Sequence, residues 1–293
     1  MKLISVKTIL GLSGLLLMAA CTNELVDSAA DGARAISFQT PQTRAAVSDA
    51  MGMDAFRVWG WYGSNYNVFD GVKVSQSGGW GYEGGTQYWL PGYTYNFYGV
   101  YPSEGITASC ASDGTLTIQG FDCSKTGSEA VDLMTASRTG MSGDNPQQVV
   151  MQFGHELARV NVVATVEGGN ATVTNITFAG MATSGDYSST GGWSNTAPGS
   201  FTNSTAQILN TEGVDLLGDM LLIPQDVSGF TVTVDYTMDG EVQPQKVITL
   251  PTTISQWDKG KSYKYTLSFK RNTLTITVKV VDWNEEDTSV SWG

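Results

Sequence analysis

Histidine, cysteine and basic residues are scarce in this chain. There is one histidine, His155, and there are three cysteines, Cys21, Cys110 and Cys123. No Cys-x-x-Cys occurs, so a zinc site would need an unusual ligand set, and no metal or cofactor is expected. Lys and Arg total 16 against 28 Asp and Glu, a formal net charge of −12. An acidic chain without basic clusters is repelled by phosphate backbones, which excludes nucleic acid as a partner. Long helical periodicity is nearly absent, and no apolar run is long enough to span a bilayer as a helix. Signatures of catalysis are missing too. No serine sits in a Gly-x-Ser-x-Gly elbow, and the Gly-rich run 78–85 is not followed by Lys-Ser/Thr, so it is not a phosphate loop. Carboxylate pairs for glycoside hydrolysis leave no local signature here. His155 shares one face of a strand pattern with Phe153 and Leu157, which reads as a buried, hydrogen-bonded structural residue. The chain is not expected to be an enzyme.

What is present begins at the first residues. Lys2 and Lys7 precede a short apolar core, Ile9 to Met18, and Ala19-Ala20 stand directly before Cys21. That arrangement is a secretory signal peptide over residues 1–20. The small residues before Cys21 resemble a bacterial lipobox, in which the cysteine is acylated and becomes the first mature residue; Met18 departs from the preferred Leu. Lipoprotein export machinery is then an expected partner. Loss of Lys2 and Lys7 moves the net charge to −14, so membrane contact is expected through the lipid and not through surface charge.

Downstream of Cys21, residues 22–55 are rich in Ala, Asp, Ser and Thr with one short apolar alternation, Ile36-Ser37-Phe38. Beyond them period-two alternation dominates. Phe56 and Val58 share one face and Trp59 and Trp61 the other. Further alternating runs start at Tyr93, Ala158, Phe230 and Tyr263, and the last holds Leu274, Ile276, Val278 and Val280. Val281 and Trp283 then change phase, as at a β-bulge. Gly-rich stretches around 77–85 and 184–200 read as loops, and Ser142–Pro146 as a linker. The pattern predicts an all-β chain of two antiparallel β-sandwich domains in tandem, at residues 45–147 and 148–293. Cys110 and Cys123 form either a disulfide or two buried thiols.

Several spaced motifs, taken in order, resemble the fimbrillin family, the type V pilins. They are Ile36-Ser37-Phe38 with Thr43-Arg44-Ala45, Tyr88-Trp89-Leu90-Pro91-Gly92 running to Tyr101-Pro102, Asp132-Leu133-Met134-Thr135-Ala136, Phe153-Gly154-His155-Glu156-Leu157-Ala158, Leu222-Ile223-Pro224-Gln225, Trp257 to Tyr265, and Val281-Asp282-Trp283. The resemblance implies transthyretin-like sandwiches, an outer-membrane lipoprotein precursor tethered through Cys21, and assembly with other pilin subunits into a surface fibre. It also implies an arginine-specific surface protease cutting between Arg44 and Ala45. That cut releases residues 21–44, including the Ile36/Phe38 strand. The vacated groove would be refilled by β-strand addition from another subunit. The candidate donor is the Leu274, Ile276, Val278, Val280 run, with the more distal Val290 and Trp292 as a second alternation. A rival expectation is a tethered lipoprotein, uncut at Arg44, that binds a host or bacterial surface glycan or protein. Trp59, Trp61, Trp80, Trp89 and Trp193 would then form an exposed stacking surface.

Overall fold

The computed structural model describes residues 34–40, 53–271 and 273–283; Cys21, Arg44, Ala45, Val290 and Trp292 lie outside the described residues. The described residues form twenty-one strands. The first ten are β1 (Phe38–Gln39), β2 (Ala55–Tyr62), β3 (Tyr66–Gln76), β4 (Trp80–Tyr82), β5 (Thr94–Tyr101), β6 (Thr107–Cys110), β7 (Leu116–Asp122), β8 (Met134–Ser142), β9 (Val149–Val150) and β10 (Gly154–His155). Next come β11 (Ala158–Glu167), β12 (Ala171–Ser188), β13 (Gly192–Asn203), β14 (Gln207–Ile208), β15 (Val214–Asp215) and β16 (Met220–Leu222). The last are β17 (Thr231–Met238), β18 (Glu241–Val242), β19 (Lys246–Thr249), β20 (Lys261–Lys270) and β21 (Thr273–Asp282). The fold is all-β. Among the described residues no helix is long and apolar enough to cross a membrane.

Alternation in the sequence becomes two apolar cores. The first is aromatic and lies on one face of the six-stranded sheet β10-β8-β5-β2-β3-β4. Phe56, Val58, Phe69, Tyr95 and Phe97 point into it. The second lies between the five-stranded sheet β15-β11-β20-β21 and the eight-stranded sheet built on β18-β17-β12-β7-β6. Val160, Val162, Tyr265 and Leu267 meet Ile176, Phe178, Val232 and Val234 there. Hydrophobic burial on this scale is the main term favouring the fold. Trp59 and Trp61, on the reverse face of β2, are also buried and belong to this second core, as do Leu116 and Ile118 of β7. The same β7 pairs with β12, β8 pairs with β10, and β1 pairs with β9, so ladders cross the boundary expected at residue 148.

Two local expectations are corrected. Residues 184–200 are mostly strand, the end of β12 and most of β13. Their glycines allow close strand approach: a Cβ on Gly199 would sit 2.2 Å from Thr183 Oγ1. β21 pairs with β20 without a register shift, so no bulge separates Val280 from Val281. Trp283 instead follows the end of the strand and is buried. Of the two readings left open for Cys110 and Cys123, the structure has free thiols, Cys123 buried and Cys110 half-buried. Cys110 lies opposite Leu116, and Cys123 stands seven residues further along, past the end of β7. At about 3.3 Å per residue the two are about 20 Å apart, far beyond the separation of about 7 Å that a disulfide spans. Burial pushes both thiols up to about 12. Cys110 and Cys123 are therefore expected to resist a thiol-alkylating reagent at pH 8 in the folded chain and to react fully in denaturant without reductant. Peptide mass spectrometry checks this; protection that persists in denaturant until reductant is added would restore the disulfide.

Candidate functional site

The segment 34–40 is held between two partners that are distant in sequence. On one side the Ile36 N–H donates to the Gln87 carbonyl at 2.8 Å, and the Trp89 N–H donates to the Arg34 carbonyl at 2.9 Å. On the other side the N–H groups of Val149 and Met151 donate to the carbonyls of Ser37 and Gln39, both at 2.8 Å. The first pairing is an antiparallel bridge, Ala35 to Tyr88; the second is parallel, Phe38 to Val149. Side chains secure the ends. The Arg34 guanidinium donates to the Pro146 carbonyl at 3.1 Å, and Gln148 Nε2 donates to the Phe38 carbonyl at 3.4 Å.

Alternation sends Ile36 and Phe38 to the same side, and each is 1% exposed in the aromatic core. The Phe38 ring meets Phe69 at 5.2 Å, Phe97 at 5.5 Å, Tyr82 at 6.0 Å and Phe56 at 6.4 Å, in edge-to-face arrangements. Such geometry sets the positive ring edges against negative ring faces. Full burial of the two side chains contributes about 1.5–3 kcal/mol each. Removal of this segment would leave two side-chain pockets open. It would also unpair the N–H groups of Trp89, Val149 and Met151 and the carbonyl of Gln87. Unpaired main-chain groups beside an apolar groove demand another extended segment. The structure thus brings Ile36 and Phe38 together in one core. It also adds partners that were not legible in the sequence, Gln87, Trp89, Val149 and Met151, because main-chain pairing between segments 51 to 112 residues apart leaves no local pattern.

Segment 142–146 is tied to the turn at 90–93. The Gly143 N–H donates to the Tyr93 carbonyl at 2.8 Å, and Asp144 accepts from the Gly92 N–H at 2.8 Å. A Cβ on Gly143 would lie 2.0 Å from the Leu90 carbonyl oxygen, so only glycine lets the two turns close here.

At the other end of the chain, Leu274, Ile276 and Val278 are half-buried against the second core, and Val280 is 38% exposed. They sit in β21, the edge strand of its sheet, with ten residues in register on β20. Trp283 stacks on His155 at 4.0 Å with the rings nearly parallel, and its main-chain N–H donates to the Gly260 carbonyl. His155 Nδ1 in turn lies 2.6 Å from Asp132 Oδ2. Burial raises the Asp132 carboxyl above its ordinary value, against the lowering effect of His155. His155 is thus a structural tie between β10 and the end of β21. Among the described residues no group of three or more His, Cys, Asp and Glu is arranged to hold a metal. The tryptophans do not form a platform: Trp59, Trp61 and Trp89 are buried, and Trp80 and Trp193 are half-buried against other rings.

Fold and slot together define a class: an all-β sandwich protein whose aromatic core is closed by a strand from its own N-terminal segment. Within that class the chain belongs to the fimbrillin-like family, whose profile matches residues 43–283. The slot-filling segment lies just before that match. Solved structures share the fold, two of them at a TM-score of 0.60. One is a putative cell adhesion protein from Bacteroides uniformis, with TM-score 0.60 and 19% identity, covering 86% of this chain and 100% of that one. The other is a fimbrial protein from Bacteroides vulgatus, with TM-score 0.60 and 15% identity, covering 85% and 99%. No curated protein matches the chain in sequence.

Proposed function

We propose that this chain is a non-enzymatic structural subunit of a cell-surface fimbria that serves adhesion and assembles by protease-triggered strand exchange. The precursor is exported, acylated at Cys21 and held at the outer membrane. An arginine-specific protease then cuts between Arg44 and Ala45, and residues 21–44 leave with the lipid and the strand. The observation that carries this reading is the seating of segment 34–39: it is hydrogen-bonded on both edges, fills two deep pockets, and joins the rest of the chain only through residues next to Arg44. Family membership and the fimbrial and adhesion proteins of like fold support it.

For the donor, the energetics favour the residues beyond Trp283 over Leu274, Ile276, Val278 and Val280. β21 already holds a ten-residue ladder and three half-buried side chains in its own sheet. A slot with two pockets does not offset the loss of those contacts. Val290 and Trp292, spaced two apart like Ile36 and Phe38, suit the slot.

The test is limited digestion with an arginine-specific protease, then N-terminal sequencing and gels run without boiling. A new N-terminus at Ala45 and a ladder of multimers are expected. A chain cut cleanly after Arg44 that stays monomeric would overturn the proposal.

A further inference from the structure

One end of the slot opens onto an exposed aromatic surface. Trp89, which holds Arg34, runs directly into Leu90 and Tyr93, each 41% exposed. Tyr93 packs edge-on against Tyr62 at 5.2 Å, and Tyr62 stacks on Tyr66 at 5.4 Å, with Tyr66 63% exposed. Gly63, at φ +60°, lets the β2–β3 turn lie between them; a Cβ there would sit 3.3 Å from Tyr93 and 3.5 Å from Tyr66. The sequence around this surface is uncharged: no Asp, Glu, Lys or Arg occurs from Val58 to Phe69 or from Gly84 to Ser103. Asp144, beside it, is hydrogen-bonded to Gly92.

We propose that Leu90, Tyr93 and Tyr66 are the docking surface for the folded body of a second copy of this chain, the copy whose C-terminal segment occupies the slot. This rests on the strand-exchange reading above. Continuity of the surface with the slot decides the occupant. A segment that replaces residues 34–39 with the same polarity runs antiparallel to Tyr88 and parallel to β9. The residues preceding it in its own chain then emerge at the Arg34 end, over Leu90 and Tyr93. For a C-terminal donor those preceding residues are the folded body. Charge points the same way. Two copies of the cut chain, each at −13 (12 Lys and Arg against 25 Asp and Glu over residues 45–293), repel over most of their surfaces, and an uncharged face is where they can meet. Exposed tyrosines are suited to the centre of such an interface, because they bury large area at little cost in side-chain order.

The test compares wild type, Tyr66→Ser/Tyr93→Ser, and a control, Val242→Ser/Val247→Ser, at exposed positions on other strands. Each is cut with the arginine-specific protease, and multimer growth is followed by light scattering. A synthetic peptide of Arg34–Thr40 is titrated into each cut chain to report the slot alone. The expected result is growth at least tenfold slower for the tyrosine variant, control growth at the wild-type rate, and equal peptide affinity in all three. Wild-type growth by the tyrosine variant overturns the docking surface and leaves strand exchange standing. Normal growth with lost binding to polymer-linked β-galactosides would make the surface a glycan platform, which also overturns it. Absence of wild-type multimers overturns the strand-exchange reading and the docking surface with it.

Discussion

Phe38→Ala is expected to weaken the seating of the first strand by about 3–5 kcal/mol. The phenyl group is 1% exposed and surrounded by four aromatic rings, so the packed core has little freedom to collapse into the space it leaves. In the uncut precursor, the melting transition of the aromatic core should fall by about 10 °C, following the usual conversion for a chain of this size. The functional consequence follows from the same number. A strand held that much less tightly is displaced before any cut, so multimers should appear without protease. Ser37→Ala, one residue away on the opposite side of the strand, should change neither quantity, because only the Ser37 carbonyl bonds to β9. Differential scanning fluorimetry and unboiled gels check both statements. A Phe38→Ala precursor that melts with wild type and stays monomeric until cut would mean that the pocket does not control exchange.

The sequence exposes the strands of this fold better than their partners. Alternation at Leu274, Ile276 and Val278 and at Tyr263, Tyr265, Leu267 and Phe269 is a local property, and both runs are strands with those side chains inward. Trp59 and Trp61 show where local pattern runs out. They alternate against Phe56 and Val58, which suggests one dry face and one wet face. Both faces are dry because the second joins the larger core, and nothing near Trp59 announces that residues about sixty or more positions on complete that core. Residues 184–200 mislead for a different reason. Few of their side chains are buried and their glycines serve close packing against Thr183 and Ser194, so neither alternation nor turn chemistry betrays a strand. The slot is legible by half. Ile36 and Phe38 stand out in a polar segment, whereas Gln87 and Val149, whose backbone groups hold that segment, have no feature that a sequence displays.

The second large effect separates the two candidate donors. Ile276→Asp with Val278→Asp places two carboxylates against β20 and the second core, where both native side chains are half-buried. Loss of the apolar contacts and the cost of partly desolvating two charges should together lower stability by about 3 kcal/mol or more. The melting temperature of the uncut chain should drop by about 6 °C or more. That variant should polymerise poorly whichever segment is donated, because its own sheet is damaged, so a second chain decides the question. A chain ending at Trp283 keeps all of β21, the main-chain bond from Trp283 to Gly260 and the stack on His155. It is expected to melt within about 2 °C of the full chain, to be cut normally at Arg44, and to form no ladder on its own. It should still cap a growing multimer once, since its slot is intact and only its donor is gone. Ladders of normal length from the chain ending at Trp283 would return the donor role to Leu274, Ile276, Val278 and Val280. The edge position of β21 would then be the feature that lets it leave its sheet.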